Sequence, residues 1–136
     1  MLDNCKNEIL ELHEFFESWL NGSIPLNENE IKRVDSCLTN DFKLISPSGD
    51  TYDKPTLISG INSAHGSRKG VNVKIKNING QTLTDDLCLF LYEEWQVTLQ
   101  MQRVRLSTAI FQYDETAPNY VSWLHLHESW LKKHNK

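Results

Sequence analysis

The chain has 136 residues, 24% of them charged and 39% hydrophobic, and a formal net charge of −4. That length suits one domain with a sizeable core, and that composition excludes a disordered chain. Scattered basic residues exclude a nucleic-acid-tracking surface, and no stretch approaches the roughly 20 apolar residues of a membrane span, so neither nucleic acid nor membrane is expected as a partner.

Between Asn4 and Leu20, the residues Ile9, Leu12, Phe16 and Leu20 recur at helical spacing, with Phe15 and Trp19 widening the stripe and Glu8, Glu11, Glu14 and Glu17 opposite. The spacing predicts an amphipathic helix ended by Asn21-Gly22. Asn27, followed three residues later by Glu30, has capping-box form and starts a second helix expected to run to about Asn40. Phe42 to Ser46 and Thr51-Tyr52 read as short strands about a turn at Pro47-Ser48-Gly49-Asp50. Asp53 and Pro55 open a short third helix, closed by His65-Gly66. From Val71 onward the chain reads as four strands: Val71 to Leu83, Leu87 to Leu99, Arg103 to Tyr113 and Tyr120 to Leu131. The expected class is α+β, a single domain over residues 1–136 in which helices cover the apolar face of an antiparallel meander.

Cys5, Cys37 and Cys88 form no CxxC spacing, so free, mostly buried thiols are expected and no metal knuckle. Residues Met1 to Glu8 lack the apolar core of a signal peptide, which points to a cytoplasmic location. The glycine-bounded loop Gly66 to Gly70 lacks the spacing of a phosphate cradle or a dinucleotide fingerprint, and no cofactor is expected.

Two segments, Asn40-Asp-Phe-Lys-Leu-Ile-Ser-Pro-Ser-Gly-Asp and Trp123-Leu-His-Leu-His-Glu-Ser, together with the order of elements, resemble the nuclear transport factor 2-like superfamily over nearly the whole chain. The likeness is to its SnoaL-like and calcium/calmodulin-dependent kinase II association-domain branches. It implies a cystatin-like cone: a strongly curved antiparallel sheet wrapped around three helices from the N-terminal half, a pocket inside, and a homodimer through the outer sheet face. It implies no reaction, since relatives range from isomerases, dehydratases and polyketide cyclases to adaptors. Where the kinase association domain has an arginine after the second histidine this chain has Glu128, and no isomerase-type or dehydratase-type residue set matches position by position.

Strand parity sorts the side chains into two faces. With the turn after the second long strand centred on Met101, Val97 lies opposite Arg105, and Arg105 opposite Glu128. One face then carries Leu91, Glu93, Trp95, Val97 and Arg105 with Ser107, Phe111, Leu124, Leu126 and Glu128. Apolar residues mixed with a few convergent polar groups suit a pocket, with Phe16, Trp19, Phe42 and Tyr52 as its remaining walls. The other face, with Tyr92, Ile110, Trp123, His125 and His127, suits a dimer interface.

A desolvated carboxylate there could act as acid or base near neutrality, and Glu93, then Glu128, are the candidates. Arg105 could clamp an anionic ligand or pair with Glu128. His125 and His127 share a face, but no third metal ligand is evident. His13 and His65 are read as solvent-facing. The leading expectation is a homodimeric protein binding a partly apolar small molecule. The alternatives are a cofactor-free lyase or isomerase using Glu93 or Glu128, and a protein-interaction module.

Overall fold

Periodicity places the elements where the chain puts them, with differences at their ends. A computed structural model describes residues 1–132: α1 (Leu2–Leu20), α2 (Glu28–Asp35), β1 (Leu38–Ile45), β2 (Thr51–Asp53), α3 (Lys54–Ser63), β3 (Asn72–Thr82), β4 (Leu87–Val97), β5 (Gln102–Tyr113) and β6 (Val121–Trp130). Residues 133–136 of the expected domain lie outside the described residues.

Of the apolar stripe of α1, Ile9, Leu12 and Trp19 are buried and Phe15, Phe16 and Leu20 half-buried, and Cys5 extends it toward the N-terminus. The helix is buried more widely than that stripe, because Glu8 and His13 are also inside, correcting the solvent-facing reading of both. Asn27 caps α2, its side chain accepting from the Glu30 amide at 2.9 Å. α2 stops at Asp35, short of the expected Asn40, because the backbone beyond is taken by the sheet. The Cys37 carbonyl accepts from the Trp123 amide at 2.8 Å, and Leu38 pairs with Trp123. Gly49, at φ +89°, supplies the left-handed residue of the β1–β2 turn. Asp53 caps α3, accepting from the Thr56 amide at 3.0 Å.

The six strands form one curved, unclosed sheet in the order β2-β1-β6-β5-β4-β3. Its neighbours are antiparallel except β1 and β6, which run parallel, so the sheet is mixed rather than wholly antiparallel. The returning meander lays β6 beside β1, and those two strands bring Phe42, Leu44, Trp123 and Leu126 together. The core lies between this inner face and the helices, centred on Ile9, Phe42, Tyr92, Phe111 and Trp123. No helix among the described residues is long and apolar enough to cross a membrane.

Candidate functional site

A cavity of about 440 Å³ opens between α1, α3 and the inner face of the sheet, within the roughly 300–1,000 Å³ of ordinary ligand pockets. Its apolar walls come from Leu12, Phe16, Trp19 and Leu20 on α1, Leu38, Phe42 and Leu44 on β1, Tyr52 on β2, and Leu57 and Ile61 on α3. Trp19 is a fixed wall: its indole N–H donates to the Ile61 carbonyl at 2.6 Å, and its ring stacks on Phe15 with centroids 5.5 Å apart. The polar wall is gathered from distant segments: His13 from α1, Arg68 from the loop after α3, Glu94 and Gln96 from β4, Arg105 from β5 and Glu128 from β6.

His13 anchors this wall. Its Nδ1 lies 2.7 Å from the Ile9 carbonyl and its Nε2 3.2 Å from Glu94 Oε1. A carbonyl and a carboxylate both only accept, so both ring nitrogens donate and His13 is an imidazolium. Burial opposes that charge, but the hydrogen bond to Glu94 and its charge outweigh it, and the His13 pKa moves up from 6.5. Burial likewise opposes the Glu94 carboxylate, yet His13, then Arg105 and Gln96, hold its pKa at about 2. Arg105 Nη1 is 3.5 Å from Glu94 and 3.9 Å from Glu128.

Glu128 stands in the opposite condition. It is 7% exposed, and its carboxyl makes no hydrogen bond to a described residue. Burial first, then the negative charge of Glu94, push its pKa up to about 7 against the pull of Arg105 and His13. Two carboxyl groups in one pocket are thus driven apart, one held charged and one poised to titrate near neutrality. Tyr92, Ser107 and Glu128 form one cross-strand row, and among the described residues Arg105 Nε has no hydrogen-bond partner and neither Tyr92 Oη nor Ser107 Oγ has one outside that row.

Arg68 donates to the Gln96 side-chain oxygen, which links it to Glu94 through the Gln96 amide. It pairs with no carboxylate among the described residues. Burial, then the charges of Arg105 and Arg103, move its pKa down, so the second guanidinium is incompletely compensated. With His13, Arg68 and Arg105 positive and Glu94 negative, the polar wall carries a net positive charge that favours an anion.

Of the expected pocket residues, Phe16, Trp19, Phe42, Tyr52, Arg105, Leu126 and Glu128 line the cavity. Ser107 and Phe111 face the same way but are fully buried behind that surface. Glu93 and Trp95 do not face it: they lie on the outer side of β4, where the Trp95 indole N–H donates to Glu93 at 3.0 Å and Lys76 sits 3.9 Å from the Trp95 ring. Glu93 also accepts from the Asn77 amide at 3.0 Å. The cause is the turn. It spans Thr98 to Met101 with Val97 opposite Gln102, not a turn centred on Met101, so Glu94 rather than Val97 faces Arg105. An odd shift inverts every side chain of β4, bringing Tyr92, Glu94 and Gln96 inside. Thr98 was the available signal, since its Oγ1 accepts from the amides of Gln100 and Met101.

A second irregularity lies in β6. Ile110 pairs with His125 and Phe111 with Trp123, so Leu124 occupies a bulge rather than the cavity wall. Trp123 turns inward, its indole N–H donating to Glu8 at 2.9 Å and its ring centroid 4.5 Å from Phe111. Tyr92 and Trp123 therefore belong to the core and not to an interface, whereas Ile110, His125 and His127 do face outward. His13, Arg68, Glu94 and Gln96 were missed as site residues, His13 because a histidine beside a glutamate-rich face reads as solvated.

Solved structures share this fold. An NTF-2-like protein of unknown function from Pseudomonas aeruginosa has a TM-score of 0.84 at 24% identity, over 93% of this chain and 98% of that one. A cystatin-like protein from Caulobacter vibrioides reaches 0.65 at 14% identity, over 93% and 89%. The association domain of C. elegans CaMKII reaches 0.62 at 12% identity, over 91% and 94%. The fold is therefore nuclear transport factor 2-like, as the element order implies. Among curated proteins, the probable sucrose-phosphatase 3a of Arabidopsis thaliana is 20% identical over 130 residues, which are 94% of this chain and 30% of that protein. The chain thus spans 30% of the length of that relative. Residues 5–132 match the family described as sucrose-6-phosphate phosphohydrolase C-terminal, and the chain belongs to that family.

Proposed function

We propose that the protein is a small-molecule-binding module whose cavity takes a ligand with an anionic group and a partly apolar body, phosphorylated sugars being the first class to test. The observation that carries this is that Arg68 and Arg105 share the polar wall of a cavity whose remaining walls are largely apolar, with Arg68 bonded to a neutral amide instead of a carboxylate. A phosphate monoester suits paired guanidinium groups, and sugar C–H faces suit the Phe16, Phe42 and Tyr52 walls. The name of the family supports the same class, since it contains a sugar phosphate. Calorimetric titration with sucrose 6-phosphate and glucose 6-phosphate against sucrose and glucose tests it: binding only of the phosphorylated members is expected, and equal or no binding of both sets would sink it.

A second reading, a cofactor-free enzyme that moves a proton, is favoured by one observation, the Glu128 carboxyl opening on the cavity with its pKa near neutrality. Glu93, its first candidate, lies on the other side of the sheet.

We also propose that a second copy covers the outer face. Two cross-strand rows, Leu89-Ile110-His125 and Leu91-Thr108-His127, form a mixed apolar and aromatic patch there. Light scattering should give a dimer mass, and Ile110→Lys should give a monomer that melts no lower than the parent dissociated by dilution. A monomer at all concentrations would refute it.

A further inference from the structure

Taking the cavity as an anion site, as above, we propose that Glu128 is a ligand-binding residue that meets the ligand's anionic group as a hydrogen-bond donor, so that the anion enters with one proton. The geometry leads there. Arg105 is shared between two carboxyl groups, at 3.5 Å from Glu94 and 3.9 Å from Glu128. Glu94 holds the larger share of the compensation, because the His13 imidazolium and the Gln96 amide also bond to it. Glu128 has neither, and its carboxyl faces the cavity with its hydrogen-bonding capacity unspent.

The titratable and charged groups that face Glu128 are His13 from α1, Tyr92 and Glu94 from β4, and Arg105 from β5, with Arg68 on the same cavity wall. An anion drawn to Arg68 and Arg105 adds a negative charge beside Glu94. An ionised Glu128 would then face two negative neighbours while losing part of its claim on Arg105, and would repel the ligand. A neutral Glu128 instead donates its O–H to an anionic oxygen, a short and strong type of hydrogen bond. The ligand and the proton therefore bind with positive coupling, each raising affinity for the other. No bond to carbon or phosphorus forms or breaks in this step. One proton moves from solvent to Glu128 and stays there while the ligand is bound.

The test is calorimetric titration of the full chain with glucose 6-phosphate and with glucose 6-sulfate, in two buffers of different ionisation enthalpy, between pH 6 and 9. The sulfate ester takes up no proton in this range, so any proton counted with it belongs to the protein. Uptake should rise toward about one proton per ligand above neutrality, with affinity falling about tenfold per pH unit there. Glu128→Gln keeps a donor in the same place, so it should still bind, with no uptake and a flat profile. Binding of the sulfate ester with equal heats in both buffers, or uptake that persists in Glu128→Gln, overturns the proposal while leaving the anion site intact. If neither ester binds to protein that melts cooperatively, the anion site itself is overturned and this inference with it.

Discussion

His13 Nε2 and Glu94 Oε1 meet at 3.2 Å across 81 residues of sequence, both side chains nearly fully buried. Removing His13 leaves Glu94 with Arg105 and the Gln96 amide only, so His13→Gln should cost about 3 kcal/mol, the lower range for breaking a buried pair. Urea denaturation at pH 6 measures it. The pH dependence follows from the shifts. The raised His13 pKa contributes stability in full below 6.5 and loses it as pH rises through the folded value, while the lowered Glu94 pKa contributes above 4.5 and is lost as pH falls toward about 2. The pair therefore contributes most between pH 4.5 and 6.5. A His13→Gln variant whose stability tracked the parent at every pH would show that the pair contributes nothing.

Glu128 predicts the opposite response to losing a charge. Its pKa is raised from 4.5 to about 7, so its contribution is complete below 4.5 and disappears as pH rises through 7. Above neutrality the ionised form weighs against the fold by something on the order of 3 kcal/mol at most. Glu128→Gln should thus raise the melting temperature at pH 8.5 and leave it nearly unchanged at pH 4.5, whereas Glu94→Gln should lower it at both. Calorimetric melts at the two pH values separate the carboxyl groups, and matching shifts for the two variants would contradict the division of roles.

Arg68 and Arg105 should also separate. Arg68 bonds to a neutral amide and sits beside two like charges, so Arg68→Ala should leave stability within about 0.5 kcal/mol. Under the proposed function it should weaken binding of a phosphorylated sugar by about 1.5 to 3 kcal/mol, the range for a hydrogen bond to a charged group. Arg105→Ala should lower stability as well, because it strips the shared cation from Glu94 and Glu128. Thermal melts paired with calorimetric titration read both quantities, and loss of binding with Arg105→Ala alone would place the anion away from Arg68.

What could be read from sequence was what depends on local spacing. The stripe of α1, the Asn27 and Asp53 caps and the strand run from Val71 onward all follow from contacts within a few residues, and the element order carried the fold family. Facing was less legible because it accumulates along a hairpin. The Thr98–Met101 turn shifted β4 by three positions relative to β5, which replaced Glu93 by Glu94, and the Leu124 bulge exchanged Leu124 for Trp123. Arg105 and Glu128 survived because β5 and the part of β6 after the bulge kept their parity. His13 and Glu8 were illegible for another reason: a charged side chain on a helix is buried only when its partner arrives from far along the chain, here Glu94, Arg33 and Asn119.

Glu8 therefore gives a direct test of how such burial is compensated. Its carboxylate is fully buried and accepts from Arg33 Nη2 at 2.7 Å and Nη1 at 3.2 Å, from Asn119 at 3.0 Å and from the Trp123 indole at 2.9 Å. Four donors from α2, the β5–β6 connection and β6 converge on one α1 side chain, so the group ties the helices to the last strand. Glu8→Ala strands all four, and the buried indole N–H cannot find water, so a loss of about 3 to 5 kcal/mol is expected. Glu8→Gln keeps one acceptor oxygen and turns an amide N–H toward a guanidinium, so a loss of about 2 kcal/mol is expected. Arg33, partly exposed, can rehydrate when its partner is gone, so most of the penalty should come from Trp123 and Asn119. A double-mutant cycle between Glu8→Ala and Arg33→Ala should then give a coupling energy well below the total loss. A coupling equal to that loss would assign the stabilisation to the ion pair alone.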